Sequence, residues 1–235
     1  MVDALTDYSR YACAETLRQG FLSLRGGFRL GVCGTAILRE GSVEGLRDIS
    51  SLALRIVTER VGLAEALLPQ LCASGGFAST LILSPPGGGK TTLLRDLIRA
   101  LSQGDEGRAA LRVAVVDERG ELAVSDRGEA QLSLGAHTDV LTLCPKRLGI
   151  EMLLRAMNPQ VIAVDEVASA EDAAALIHAS NCGAAILATM HAASTEELRR
   201  KPIWTPLREA GVFRRAVVLE GSGEARRRRV EDLTA

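Results

Sequence analysis

Four short apolar runs alternate with segments of helical periodicity from residue 76 onward. These runs are residues 79–83, 113–116, 161–164 and 185–188. Each run ends next to polar residues. Apolar strands that alternate with helices are typical of a parallel sheet covered by helices on both faces. Open sheets of this kind bind ligands at the carboxyl ends of their strands, so the polar residues at those ends are the candidates for chemistry.

Helical patterns fill most of the connections. After the first run, leucine and isoleucine recur at spacings of three and four, and Gly104 is placed to end that helix. A second helix is predicted over residues 149–157, and a third after Ser169, where Asp172 can complete a capping box. Further predictions are a strand at 139–143, a short helix at 206–210 and a terminal hairpin of 217–219 and 226–230.

The first 75 residues follow another pattern. Apolar residues alternate from Phe28 to Val32, as in a half-buried strand, and a helix is predicted over residues 51–61. The sequence therefore predicts a small N-terminal α+β module, residues 1–75, followed by a larger α/β domain, residues 76–235.

Composition narrows the classes of function. Of 235 residues, 47% are apolar and 24% charged, which excludes disorder as the dominant state. The formal charge is −1 and only 3% of residues are aromatic, a combination that disfavours nucleic-acid binding. Five scattered cysteines predict neither a disulfide framework nor a zinc site. No apolar segment reaches membrane-spanning length, so we expect a cytoplasmic protein, which could associate peripherally with a membrane through partners.

Residues 84–91, Ser-Pro-Pro-Gly-Gly-Gly-Lys-Thr, join the first strand to the first helix. They match the phosphate-loop pattern G-x-x-x-x-G-K-[ST], except that Ser84 replaces the first glycine. Backbone N–H groups of such a loop point at phosphate oxygens, and glycines allow the close approach. The predicted nucleotide-binding residues are Pro86, Gly87, Gly88, Gly89, Lys90, Thr91 and Thr92. The alternative is a glycine-rich turn with a surface lysine.

Two acids, Asp165 and Glu166, follow the third apolar run. An aspartate there can orient Mg²⁺, to which the Thr91 hydroxyl would also bind, and the adjacent glutamate can polarise the attacking water. A helix cap is the alternative for Asp165. Asp117 and Glu118 end another strand and could supply a second carboxylate near the γ-phosphate, unless they belong to an ordinary polar loop.

The fourth run ends in Thr189-Met190-His191. A hydroxyl and an imidazole at a strand end can sense the γ-phosphate or the attacking water. We therefore predict catalytic roles for Thr189 and His191, with a loop histidine as the alternative.

Several segments resemble the ring-forming secretion ATPases of the traffic-ATPase group, within the RecA-like class. DERGEL resembles the Asp box of that group, VIAVDE its Walker B element and LATMHA its His box. The blocks GFRLGVCG, LRDISSLALRI, SPPGGGKTTLLRDLIR and LLRAMNPQVIAVDEV resemble the stage III sporulation AA family more closely. This resemblance runs from about residue 27 to residue 219.

The resemblance implies a RecA-like P-loop NTPase core and hydrolysis of ATP with Mg²⁺. It also implies a homohexameric ring that powers a membrane-bound sporulation channel complex. Carried over, the implied roles are phosphate and Mg²⁺ binding for Lys90 and Thr91, metal positioning for Asp165, catalysis for Glu166, and matches to the Asp and His boxes for Asp117, Glu118, Thr189 and His191. ATP in such rings lies between subunits, so a neighbour's arginine would complete the site; the candidates are Arg119, Arg147 and Arg155.

Two other functions stay open from the residues alone. The run Arg226 to Arg229 keeps a nucleic-acid motor on the same core possible, although a solvated strand edge is the better explanation of the run. A scaffold that binds nucleotide without turnover is the other alternative. The segment before the phosphate loop is also shorter than the resemblance leads us to expect, which predicts a reduced N-terminal module.

Overall fold

The structure is a computed structural model. It describes residues 17–18, 20–24, 28–56, 59–73, 76–125, 130–221 and 227–234. Contacts group the chain into two compact units. One comprises Met1–Glu59 and Val124–Leu132, and the other Arg60–Ala123 and Ser133–Ala235. The domain boundary at residue 75 stays a prediction, although contacts group residues 60–73 with the second unit.

The first unit contains a three-stranded antiparallel sheet in chain order. Its strands are β1 (Phe21–Leu24), β2 (Phe28–Arg39) and β3 (Ser42–Arg55). Leu22, Leu30 and Val32 are buried together on one face, because alternate residues of neighbouring strands share a face. The alternation that begins at Phe28 is therefore confirmed as a strand.

The helix predicted over residues 51–61 is wrong. Residues 51–55 are the end of β3, where Leu52 pairs with Val32 and Leu54 with Leu30. Leu52 and Leu54 lie two residues apart, the period of a strand, so both can face the same side as their partners. A short apolar segment cannot be assigned by periodicity alone, and here pairing with β2 determines its conformation.

The second unit is built on a seven-stranded sheet. Two short strands, β4 (Cys72–Ala73) and β5 (Gly76–Phe77), pair with each other in a separate sheet. The seven strands of the large sheet are β6 (Thr80–Ser84), β7 (Val113–Asp117), β8 (Thr138–Thr142), β9 (Val161–Val164), β10 (Ala185–His191), β11 (Arg215–Glu220) and β12 (Arg227–Asp232). The order is β12-β11-β6-β10-β9-β7-β8, parallel throughout except for β11 with β12. This is the mostly parallel sheet that the sequence predicts.

Helices cover both faces of this sheet. They are α1 (Leu68–Leu71), α2 (Lys90–Gln103), α3 (Lys146–Met157), α4 (Ala170–Asn181), α5 (Thr195–Arg199) and α6 (Trp204–Glu209). Helix α2 ends at Gly104, and the capping box of Ser169 with Asp172 forms as predicted. The terminal hairpin also forms, but its turn, including Arg226, lies outside the described residues.

Alternate residues of the central strands enter two separate cores. Leu81 and Leu83 of β6 pack in the cluster that contains residues of α3, α4 and α6, whereas Ile82 packs in the cluster of α1 and α2. Strands buried on both faces must be apolar at consecutive positions, which explains the unbroken runs in the sequence. Because β6, β7, β9 and β10 run parallel, their carboxyl ends lie at the same edge of the sheet. The polar residues that follow these strands therefore lie there too.

Candidate nucleotide-binding site

The loop between β6 and α2 holds the first group of predicted site residues. Lys90 is the first residue of α2 and only 6% exposed. Its ammonium donates hydrogen bonds to the carbonyl oxygens of Ser84 at 3.1 Å and Pro85 at 3.2 Å. Burial lowers the pKa of Lys90, and attraction by Asp165 and Glu166 partly offsets that effect. The loop therefore curls around its own lysine at the positive end of a fourteen-residue helix.

Asp165 connects three parts of the site. Its Oδ2 accepts a hydrogen bond from Thr91 Oγ1 at 2.8 Å, and its Oδ1 accepts one from Thr189 Oγ1 at 2.5 Å. The backbone N–H of Glu166 donates to Thr189 Oγ1 at 2.8 Å and to Asp165 Oδ1 at 3.0 Å. Side-chain hydrogen bonds thus join the start of α2 to the ends of β9 and β10, and they bring together Thr91 and Asp165, the two residues predicted to bind Mg²⁺.

A cleft of ≈ 380 Å³ opens over this network. It is lined by Gly87, Gly89, Lys90, Thr91, Thr92, Glu121, Asp165, Glu166, Thr189 and His191. Nine of these ten residues were predicted from sequence; Pro86 and Gly88 belong to the same loop but do not line the cleft. Glu121 was not predicted, and its only signal was its place in the acidic turn after β7.

His191 lies between the lysine and the catalytic candidate. Its Nδ1 is 2.8 Å from Lys90 Nζ, and its Nε2 is 3.5 Å from Glu166 Oε1. With Nδ1 accepting from the ammonium, the ring proton of a neutral imidazole lies on Nε2, which faces Glu166. The imidazole therefore contacts both groups that the γ-phosphate and the attacking water would involve.

Asp117 has a supporting position. Its buried carboxylate accepts hydrogen bonds from the backbone N–H groups of Glu121, Leu122 and Ala123 at 2.8 to 2.9 Å. Burial raises the pKa of Asp117, the three N–H donors oppose this, and nearby Asp165 adds to the rise. These bonds hold the turn after β7, so Asp117 matches the polar-loop alternative and does not line the cleft.

Glu118 points to a different partner. Its Oε2 lies 2.5 Å from Nζ of Lys146, a residue only 8% exposed that is also 3.8 Å from Asp172 Oδ2. Because Asp172 caps α4, Lys146 connects the turn after β7 to the start of that helix. Sequence reasoning missed this network, although the scarcity of lysine was a signal. A direct catalytic role for Glu118 stays a prediction.

The serine at the start of the phosphate loop restricts its neighbour. A Cβ added to Gly88 would lie 2.1 Å from Ser84 Oγ, 2.6 Å from Ser84 Cβ and 3.0 Å from the Pro85 carbonyl oxygen, so the loop would have to shift to accept it. The Ser84 hydroxyl itself donates to the Pro85 carbonyl at 2.8 Å. With serine in place of the usual first glycine, Gly88 thus has to be glycine for steric reasons.

This geometry predicts the effect of paired substitutions. Gly88→Ala is expected to distort the loop and weaken nucleotide binding by about tenfold or more, since overpacking costs about 1–3 kcal/mol. Adding Ser84→Gly removes the two closest atoms but leaves the Pro85 carbonyl oxygen 3.0 Å from the new Cβ, so it should restore part of the affinity. Titration of the single and double variants with ADP checks this. An unrescued double variant would show that the loss arises elsewhere.

The residues present fit Mg²⁺. The Thr91 hydroxyl and the Asp165 carboxylate are hard oxygen donors within 2.8 Å of each other, and Mg²⁺ prefers such ligands together with substrate phosphates. Among the described residues no group of three or more His, Cys, Asp or Glu could hold a metal alone. Thr91 and Asp165 would thus supply two of the oxygen ligands that Mg²⁺ takes.

Fold and site together define a RecA-like P-loop protein. The model of the family described as "Sporulation stage III, protein AA" matches residues 1–231, and the chain belongs to that family. The chain is 40% identical to stage III sporulation protein AA of Bacillus subtilis strain 168 over 219 residues. This matched stretch covers 93% of this chain and 71% of that protein.

Two solved structures, of an ATPase and of a pilus motor, share the fold. The Yersinia pseudotuberculosis ATPase DotB superposes with a TM-score of 0.62 at 13% identity, over 98% of this chain and 66% of that one. The pilus retraction motor PilT, solved with bound ADP, superposes with a TM-score of 0.58 at 16% identity, over 87% of this chain and 60% of that one. The chain thus spans less than two thirds of either structure. Its RecA-like fold class is as predicted.

Within the described residues, no helix has both the length and the apolar character needed to span a membrane.

Proposed function

We propose that this protein hydrolyses ATP with Mg²⁺ in the cleft at the ends of β6, β9 and β10. The hydrogen bond between Thr91 Oγ1 and Asp165 Oδ2 carries the proposal, because it joins the phosphate loop to the acids after β9. The ADP in the PilT structure, whose fold this chain shares, also supports nucleotide binding.

The chain's own residues divide the work of binding and turnover. N–H groups of the glycine loop and the start of α2 bind phosphate oxygens, and Lys90 exchanges its bonds with loop carbonyls for bonds to the outer phosphates. Thr91 and Asp165 would hold Mg²⁺, which when bound neutralises charge on the β- and γ-phosphates. Glu166 accepts a proton from the attacking water.

Thr189 and His191 have positioning roles in this proposal. Thr189 accepts a hydrogen bond from the backbone N–H of Glu166. This bond fixes the backbone position from which the Glu166 side chain extends. His191 contacts both Lys90 and Glu166, so its position depends on whether the lysine is bound to phosphate. The occupancy of the phosphate site is thereby communicated to the catalytic carboxylate.

We also propose that the protein acts as a homohexameric ring and drives a membrane-bound sporulation channel complex. Membership of a sporulation family and the fold shared with the ATPase DotB and the pilus retraction motor PilT support this. Arg147 and Arg155, two of the three candidates for an arginine donated to a neighbouring subunit, lie exposed on α3.

A nucleic-acid motor receives no support from the arginine run. Arg228 Nη1 donates to the Leu63 carbonyl, and Arg229 pairs with Glu220 at 3.2 Å and Glu231 at 2.8 Å. Two of the three described arginines are thus bound within the chain, which matches a strand edge. Nucleic acid is not among the proposed partners.

Phosphate release measured against protein concentration tests the proposal. We expect turnover that requires Mg²⁺ and a rate per subunit that rises with concentration to a plateau, because neighbouring chains complete each site. EDTA should abolish turnover. ATP binding without turnover at any concentration would favour the scaffold, and stimulation by DNA that falls steeply with salt would favour the nucleic-acid motor.

A further inference from the structure

We propose that Arg119 is a positioning residue for Glu166 of its own chain; this rests on the proposed function. Arg119 Nη1 lies 2.5 Å from Glu166 Oε2, which connects the turn after β7 to the segment after β9. The Arg119 side chain is 63% exposed and that of Glu166 27%. The pair therefore lies at the outer margin of the cleft, where it can be removed without disturbing a core.

Arg119 extends from a turn whose backbone is fixed on both sides. The Asp117 carbonyl accepts hydrogen bonds from the N–H groups of Gly120 at 3.2 Å and Leu143 at 3.0 Å, while the Asp117 carboxylate holds the following residues. Gly120 has a φ of +66°, which glycine adopts without strain. Arg119 is thus presented from a defined position, unlike an arginine on a free loop.

Glu166 is held at its backbone and at one carboxylate oxygen. Its φ of +47° is unusual for a glutamate, and hydrogen bonds to Thr189 and Asp165 maintain it. Arg119 occupies Oε2, while Oε1 faces His191. With one oxygen bound to a cation, the carboxylate plane has a preferred orientation and Oε1 is left toward the cleft. A general base requires this kind of fixed position.

The pair contributes little to the stability of the fold. Exposed ion pairs stabilise proteins by about 0–1 kcal/mol, so its consequence should appear in turnover. Misplacement of a catalytic group by about 1 Å can reduce rate on the order of a hundredfold. Since Arg119 already contacts the glutamate of its own chain, we infer that it acts in cis and is not the arginine donated between subunits.

Steady-state kinetics of Arg119→Ala test the positioning role. We expect kcat to fall about tenfold or more while KM and ADP affinity change less than about threefold, with partial rescue by Arg119→Lys. In a Glu166→Gln background, Arg119→Ala should cause no further loss. The matched control is Arg208→Ala, which removes an exposed arginine on α6 and should leave kcat unchanged. An unchanged kcat, a loss confined to KM, or losses that multiply in the double variant would overturn the proposal.

Mixed subunits separate action in cis from action in trans. Arg119→Ala chains mixed with Glu166→Gln chains should show only the sum of their separate rates, because no chain then carries both residues. If Arg119 served a neighbour, mixed rings would regain active sites that combine one chain's Glu166 with the other's Arg119. Recovery of activity on mixing would therefore contradict the assignment.

A readout independent of turnover distinguishes this proposal from the proposed function. In ¹⁵N-arginine NMR spectra, the Arg119 guanidinium signal, identified by its loss in Arg119→Ala, should show slowed rotation that Glu166→Gln abolishes. If wild-type protein hydrolyses no ATP but shows this signature, the ATPase proposal fails and the contact stands. A guanidinium that rotates freely in wild-type protein overturns the contact itself.

Discussion

Lys90→Ala is expected to weaken nucleotide binding by at least about 30-fold. The Lys90 ammonium lies at the start of α2, where it donates hydrogen bonds to the carbonyl oxygens of Ser84 and Pro85. It is the cation of the loop that would contact the outer phosphates. Truncating one partner of a buried charge-assisted contact costs about 2–5 kcal/mol, which corresponds to a roughly 30- to 5,000-fold loss of affinity. Calorimetric titration with Mg²⁺ and ATP measures this loss, and phosphate release should fall to background.

Lys201→Ala is the control for that substitution. Lys201 pairs with Glu197 at 3.6 Å and does not line the cleft, so its removal should leave affinity unchanged. A thermal unfolding scan of both variants shows whether a loss of binding reflects a loss of fold. An Lys90→Ala protein that is folded and binds ATP within about threefold of wild type would mean that the loop does not bind the phosphates.

The central sheet could be predicted because its signals are local and redundant. Strand β9 is a run of four buried aliphatic residues followed by two acids, and α4 carries a complete capping box at Ser169. For these elements the hydrophobic pattern, the capping residues and the order of strands and helices all predict the same structure. Agreement among such independent signals makes a prediction from sequence reliable. The meeting of Thr91 with Asp165 also follows from parallel topology, which places strand ends at one edge.

Other features depend on contacts that sequence does not encode locally. The end of β3 is a strand because Leu52 and Leu54 pair with residues of β2, and the spacing within so short a segment does not distinguish a strand from a helix. The partner of Glu118 is a lysine 28 residues away, and that of Glu166 is an arginine 47 residues earlier. Side-chain pairs across loops are set by loop geometry, so the partners of Glu118 and Glu166 could not be predicted from spacing.

Glu166→Gln is expected to preserve nucleotide binding and stop turnover. Glutamine has nearly the same size and can keep the left-handed backbone held by Thr189, but its amide cannot accept a proton from water. Loss of a general base reduces rate by about 10²–10⁴-fold, while the Mg²⁺ ligands proposed here, Thr91 and Asp165, are unchanged. ADP and ATP affinity should therefore remain within about threefold of wild type. Single-turnover phosphate release separates the chemical step from product release.

The same measurement on Glu118→Gln decides which acid is the base. Glu118 is paired with Lys146 outside the cleft, so we expect a smaller fall in kcat and a loss of folding stability, whereas the Glu166 variant should lose rate without losing stability. Glu209→Gln, at an exposed position on α6, provides the baseline. If Glu166→Gln turns over at the wild-type rate and Glu118→Gln does not, the base is the acid after β7 and the cleft must rearrange when ATP binds. That outcome would also remove the reason for Arg119 to position Glu166, because the orientation of a carboxylate affects turnover only if it accepts the proton.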